Sequence, residues 1–125
     1  MPLEIQILQK FGTGQAAAIT VQLTGSLDTA TAPDLERQLT PVLATPVKDI
    51  VFDLAHLKFI SSAGLRVFSM VRKQLKERGG QASFINMQRQ IQEVFEIIKA
   101  LPGVAIFASE QEFDDYLTAR QKACE

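Results

Sequence analysis

The sequence predicts an α/β fold: a mixed β-sheet opened by an N-terminal antiparallel hairpin, with about four α-helices covering its apolar faces. Three observations predict it. Leu3 to Lys10 alternates apolar and polar residues and is followed by turn chemistry and a second apolar run, which is the pattern of a hairpin. A strand-sized apolar run, Asp49-Ile50-Val51-Phe52-Asp53-Leu54, lies between two amphipathic stretches. Beyond it, segments with helical spacing alternate with short apolar runs, and Gly and Pro mark the boundaries. A hairpin followed by strands separated by helices gives a mixed sheet.

Taken in order, Leu3, Ile5 and Ile7 form the inward set of the first strand, and Gly12-Thr13-Gly14 turns the chain into the run from Ala17 to Leu23. Gly25-Ser26-Leu27-Asp28-Thr29-Ala30-Thr31-Ala32-Pro33 reads as a loop whose proline suits a first helical turn, with Asp34 and Glu36 near the helix start. Leu35, Leu39 and Leu43 face the core, and Pro41 predicts a kink or an early end because it has no N–H to donate. After the Asp49 strand, Val67, Phe68, Val71 and Leu75 make the apolar arc of a second helix that stops at Arg78-Gly79-Gly80. Ala82 to Ile85 is a short strand. Ile91, Val94, Phe95, Ile98 and Leu101 form an amphipathic stripe ended by Pro102-Gly103, and Val104 to Phe107 is a last strand. Ser109 with Glu112 has the capping-box pattern that opens a terminal helix bearing Phe113, Tyr116 and Leu117.

At 125 residues and 46% hydrophobic content, the chain is expected to be one domain spanning 1–125. Thirteen Lys and Arg against fourteen Asp and Glu argue against the basic surface that direct nucleic-acid binding needs. No apolar run approaches the ~20 residues that cross a bilayer, and Met1-Pro2-Leu3-Glu4 has no basic flank, so no membrane insertion and a soluble, cytoplasmic protein are expected. Cys124 is the sole cysteine and His56 the sole histidine, which excludes an internal disulfide, a cysteine metal site and a histidine-rich one. No metal or cofactor is expected. No G-x-S-x-G elbow, G-x-G-x-x-G or P-loop spacing occurs, and the reading is that the chain is not an enzyme.

The chemistry concentrates in Phe59-Ile60-Ser61-Ser62-Ala63-Gly64-Leu65, two hydroxyls at a strand-to-helix joint. Serine is a favoured N-cap, and the same joint receives a phosphate well, because the first helical N–H groups lack acceptors and the helix dipole is positive there. The arc opposite the core carries Arg66, Ser69, Lys73, Lys76 and Glu77, with Met70 at the border, and this face is suited to meeting a partner. Phosphorylation adds about −1.5 to −2 charges, tolerable for the helix but not for an interface built around a neutral hydroxyl. Asp28 reads as a turn residue with a surface role in partner binding; Asp53 reads as a turn residue after its strand.

These residues resemble the STAS domain, in particular the small stand-alone anti-sigma factor antagonists of bacteria. Gly25-Ser26-Leu27-Asp28 with Thr31-Ala32-Pro33 is similar to the family's G-E-x-D loop and helix start, Ser61-Ser62-Ala63-Gly64-Leu65 to its D-S-[ST]-G-L segment, and Arg78-Gly79-Gly80 to the turn before its next strand. Ser61 stands where the family usually has aspartate and Ser26 where it commonly has glutamate; Asp28 keeps the family's residue. The resemblance implies a STAS fold and a partner-switching module. The unphosphorylated protein would bind an anti-sigma factor of the serine protein kinase type and release a sigma factor. That partner would phosphorylate Ser62, with Ser61 as the second choice, and a PP2C-like phosphatase would reverse the step. The implied contact surface is Asp28, Ser61, Ser62, Arg66, Ser69 and Met70, with Asp28 on the loop and the others at an exposed helix start. A second reading, of another class, is a constitutive STAS subunit of a bacterial lipid-transporting ABC complex, in which binding is indifferent to charge at Ser62.

Overall fold

Alternation along the first strands becomes the sidedness of a sheet. The computed structural model describes residues 3–10, 18–100 and 110–123. In order, the elements are β1 (Leu3–Lys10), β2 (Ala18–Leu27), α1 (Ala32–Leu43), β3 (Asp49–Ile60), α2 (Ser62–Glu77), β4 (Gln81–Ile85), α3 (Arg89–Ala100) and α4 (Glu110–Ala123). The sheet order is β1-β2-β3-β4, with β1 antiparallel to β2 and the remaining pairs parallel. The expected mixed sheet, its opening hairpin and four helices are therefore present among the described residues. The Gly12–Gly14 turn, the Val104–Phe107 strand and the Ser109 cap lie outside the described residues.

Register aligns Ile7, Val21, Phe52 and Phe84 in one row across the sheet. On that side Ile19, Val21, Leu23, Ile50, Phe52 and Leu54 are buried, while Thr20, Gln22, Val51 and Asp53 between them stay partly exposed. The core thus sits on one side of these strands, where the sequence suggested apolar faces on both. Phe52 stacks on Phe84 at 5.3 Å between ring centroids, Phe68 of α2 lies 4.9 Å from Phe52, and Phe95 of α3 meets Phe84 at 5.1 Å. Aromatic contacts of this kind join sheet, α2 and α3.

Two strands outrun their predicted ends. β2 continues through Gly25 and Ser26 to Leu27, and β3 continues past Leu54 to Ile60. Register shifts between Gln22 and Thr24 and between Gly25 and Ser26 interrupt strict alternation, so that Leu57 and Ile60 are the next buried residues of β3. A period-two reading stops at the first shift. Gly25 adopts φ 110°, a value open to glycine and strained for other residues.

α1 runs through Pro41, which has no N–H to donate, and ends two residues later at Leu43. α2 ends in a complete Schellman motif: Gly80 N–H donates to Leu75 O (2.8 Å) and Gly79 N–H to Lys76 O (3.1 Å), with Gly79 at φ 79°. The Arg78 guanidinium bridges away from this turn to the carbonyls of Leu43 (2.9 Å), Thr45 (3.0 Å) and Val47 (3.2 Å), tying the exit of α1 to the exit of α2.

Candidate functional site

The site is built where β3 becomes α2. Ile60 is fully buried, and Ser61 N–H donates to Leu27 O at 2.9 Å, so the joint is stitched to the end of β2. Ser61 is the N-cap: its backbone is extended (φ −104°, ψ 175°) and its hydroxyl accepts from Gly64 N–H at a long 3.5 Å. Gly64 sits here because nothing larger fits; a Cβ would lie 2.6 Å from Leu27 Cγ and 3.0 Å from Ile60 Cγ1.

Ser62, the first residue of α2, is held from the far end of the chain. Its N–H donates to Asp114 Oδ1 (2.8 Å) and its hydroxyl donates to Asp114 Oδ2 (2.9 Å). The carboxylate satisfies one of the orphan amides of α2 and sits at the positive end of its dipole, where an anion is stabilising. One residue before the serines, Gln121 of α4 accepts from Ile60 N–H and donates to Ile60 O, each at 2.8 Å. α4 therefore grips the joint on both sides of Ser61. As a result Ser61 is only 5% and Ser62 only 7% exposed. This corrects the expectation of an exposed helix start at the serines, because α4 covers it.

The Asp28 loop is ordered by its own side chain, as expected of a turn residue. Its carboxylate accepts from the N–H groups of Ala30 and Thr31, both at 3.0 Å, and Thr31 Oγ1 accepts from Asp28 N–H (2.9 Å) and donates to Ser26 O (2.8 Å). Thr31 thus commits its hydroxyl to the loop and does not cap α1.

A groove of about 570 Å³ opens between α1, α2 and α4, lined by Pro33 and Glu36, by Ser62, Arg66 and Met70, and by Asp114 among others. It brings together Ser62, Arg66 and Met70 of the predicted surface, with Thr29 of the Asp28 loop on its wall. Ser61 is buried behind it. Ser69 belongs elsewhere: exposed, it borders a groove of about 590 Å³ with Leu65, Phe68, Arg72, Phe84 and Phe95, on another side of α2. Asp114 and Gln121 are not among the predicted site residues. In the sequence Asp114 is one of an Asp-Asp pair on a terminal amphipathic segment, with no local pattern that separates it from a solvated face. Among the described residues, no group of three or more His, Cys, Asp or Glu is placed to hold a metal, and no helix is long and apolar enough to cross a membrane.

The STAS domain family model matches residues 12–113. The chain belongs to the STAS domain family. It is 39% identical over 75 residues to BtrV of Bordetella bronchiseptica, named as an anti-sigma factor antagonist; that alignment covers 60% of this chain and 65% of BtrV, just under two thirds of that protein. It is 31% identical over 85 residues to the anti-sigma-B factor antagonist of Staphylococcus aureus, across 68% of this chain and 79% of that protein. In structure it is similar to the phosphorylated form of the Bacillus cell fate determinant SpoIIAA, with a TM-score of 0.60 over 91% of this chain and 99% of that one, at 18% identity. This last likeness concerns the fold.

Proposed function

We propose that this chain is a cytoplasmic anti-sigma factor antagonist that works by partner switching and carries no catalyst of its own. Its neutral Ser62 face binds an anti-sigma factor of the serine protein kinase type and so frees a sigma factor. Phosphorylation of Ser62 by that partner ends the complex, and a PP2C-like phosphatase restores it. Binding involves Asp28, Ser61, Ser62, Arg66, Ser69 and Met70, of which Ser62, Arg66 and Met70 share the groove. The names of the Bordetella and Staphylococcus relatives support the regulatory class.

The observation that carries the switch is the placement of Ser62: a hydroxyl 7% exposed, on the wall of a groove, donating to a carboxylate. A neutral serine is fully accommodated there. A phosphate of about −1.5 to −2 charges is not, since burial of a dianion beside a carboxylate is strongly unfavourable. The test is capture of partners from the native host's lysate with wild type, Ser62→Ala and Ser62→Asp as baits, identified by mass spectrometry. Recovery of an ATP-binding anti-sigma kinase by wild type and Ser62→Ala but not by Ser62→Asp is expected. Equal recovery of one partner by all three sinks the phospho-switch, and a membrane ABC transporter as that partner assigns the chain to a constitutive subunit instead.

A further inference from the structure

We propose that α4 is the element that reads the charge state of Ser62: Asp114 clamps the helix onto the neutral serine and is driven off the phosphorylated one. The inference rests on the reading of Ser62 as phosphoacceptor. Asp114 contacts Ser62 twice, through N–H at 2.8 Å and through Oγ at 2.9 Å, across 52 residues of sequence. Phosphoryl transfer from ATP forms an Oγ–P bond, breaks the bond between the γ-phosphorus and its ADP leaving group, and releases the hydroxyl proton. That proton is the donor in the Asp114 contact. The modified Oγ retains only acceptor character, and a phosphate takes its place opposite a carboxylate, so attraction becomes repulsion at hydrogen-bond distance. Arg66, one turn along the same groove, supplies a single positive charge against a phosphate and a carboxylate together.

The response is local because the two halves of α4 meet different parts of the molecule. Its second half is held by fully buried Leu117, by the two Gln121 bonds to Ile60 and by an Arg120–Glu93 ion pair at 2.6 Å, none of which involves Ser62. Its first half carries buried Phe113 and Asp114, and the Asp114 bonds are the ones that modification of Ser62 meets directly. Gln111 and Asp114 also form a wall of the groove, so loosening this half reshapes the surface a partner meets. The charge is thereby converted into a change of shape.

Hydrogen exchange of the full chain tests this with wild type, Ser62→Asp, Asp114→Asn and the double variant. Ser62→Asp is expected to speed exchange in residues 110–116 about tenfold or more while β2 and β3 keep wild-type protection. Adding Asp114→Asn is expected to restore protection, because asparagine still accepts from the residue-62 N–H and donates to the new carboxylate. Unchanged exchange at 110–116 in Ser62→Asp overturns the proposal, as does equal loss across β2 and β3 that Asp114→Asn does not rescue. Should Ser62→Asp lack a native fold, the double variant decides: a folded double with protected α4 supports the conflict at Asp114, and an unfolded one overturns it. Loosening of α4 without kinase capture in the lysate experiment leaves the clamp standing and removes the partner-switching reading; kinase capture lost on Ser62→Asp with α4 unmoved removes the clamp alone.

Discussion

Gly64 and Arg78 show how single positions hold α2 at its two ends. Gly64→Ala forces a methyl to within 2.6 Å of Leu27 and 3.0 Å of Ile60, in the floor of the joint itself. Overpacking of this kind costs roughly 1–3 kcal/mol, and we expect a loss of that size in urea denaturation together with weakened partner binding. Arg78→Lys looks conservative but replaces a planar fork that reaches three carbonyls of the α1 exit with one ammonium point. A loss of about 1–2 kcal/mol is expected in the same measurement, and equality with wild type would show those bonds to be energetically idle. The serines were legible in the sequence because capping chemistry is local, whereas Gly64 stood there only as part of the family-like segment, its constraint coming from Leu27 of another strand. Asp114 and Gln121 were not, since their roles exist only once residues 52 and 61 positions apart are brought together.

For elements, the aromatic cluster makes α2 a structural wedge as well as a presenting surface. Phe68 is 3% exposed and lies 5.0 Å from Phe84, besides its contact with Phe52. Truncation to alanine is expected to cost roughly 3–5 kcal/mol by calorimetry or denaturant titration, enough to threaten a domain of this size. Helical periodicity identified this arc in advance, and Val67, Phe68, Val71 and Leu75 are all buried while Arg66, Ser69, Lys73, Lys76 and Glu77 are exposed and Met70 is half-buried. Strand ends were less legible. Their extensions pass through register shifts, where side-chain alternation no longer reports pairing and only the partner strand keeps the chain extended.

Across the whole molecule, β3 is the hub, paired in parallel with β2 on one side and β4 on the other. Its buried Ile50, Phe52, Leu54, Leu57 and Ile60 place the slowest-exchanging amides in β2 and β3, with β1 faster at the edge. Exchange mass spectrometry that found β1 as protected as β3 would contradict this order. The overall architecture was legible because hairpin, alternation and helix stops all agree. What the sequence could not convey was that α4 returns over the serine joint, and with it that the expected exposed contact surface is partly covered.

The long reach of α4 also orders events in time. Ser62 leaves the ribosome 52 residues ahead of Asp114, and Ile60 leaves 61 residues ahead of Gln121. At ~5–20 residues per second, the serines wait roughly 3–10 s before their cover exists. The β3–α2 joint is made well before the helix that covers it, and α4 is the last element to close over the serines. A nascent chain therefore carries this joint uncovered, and a finished one carries it beneath α4.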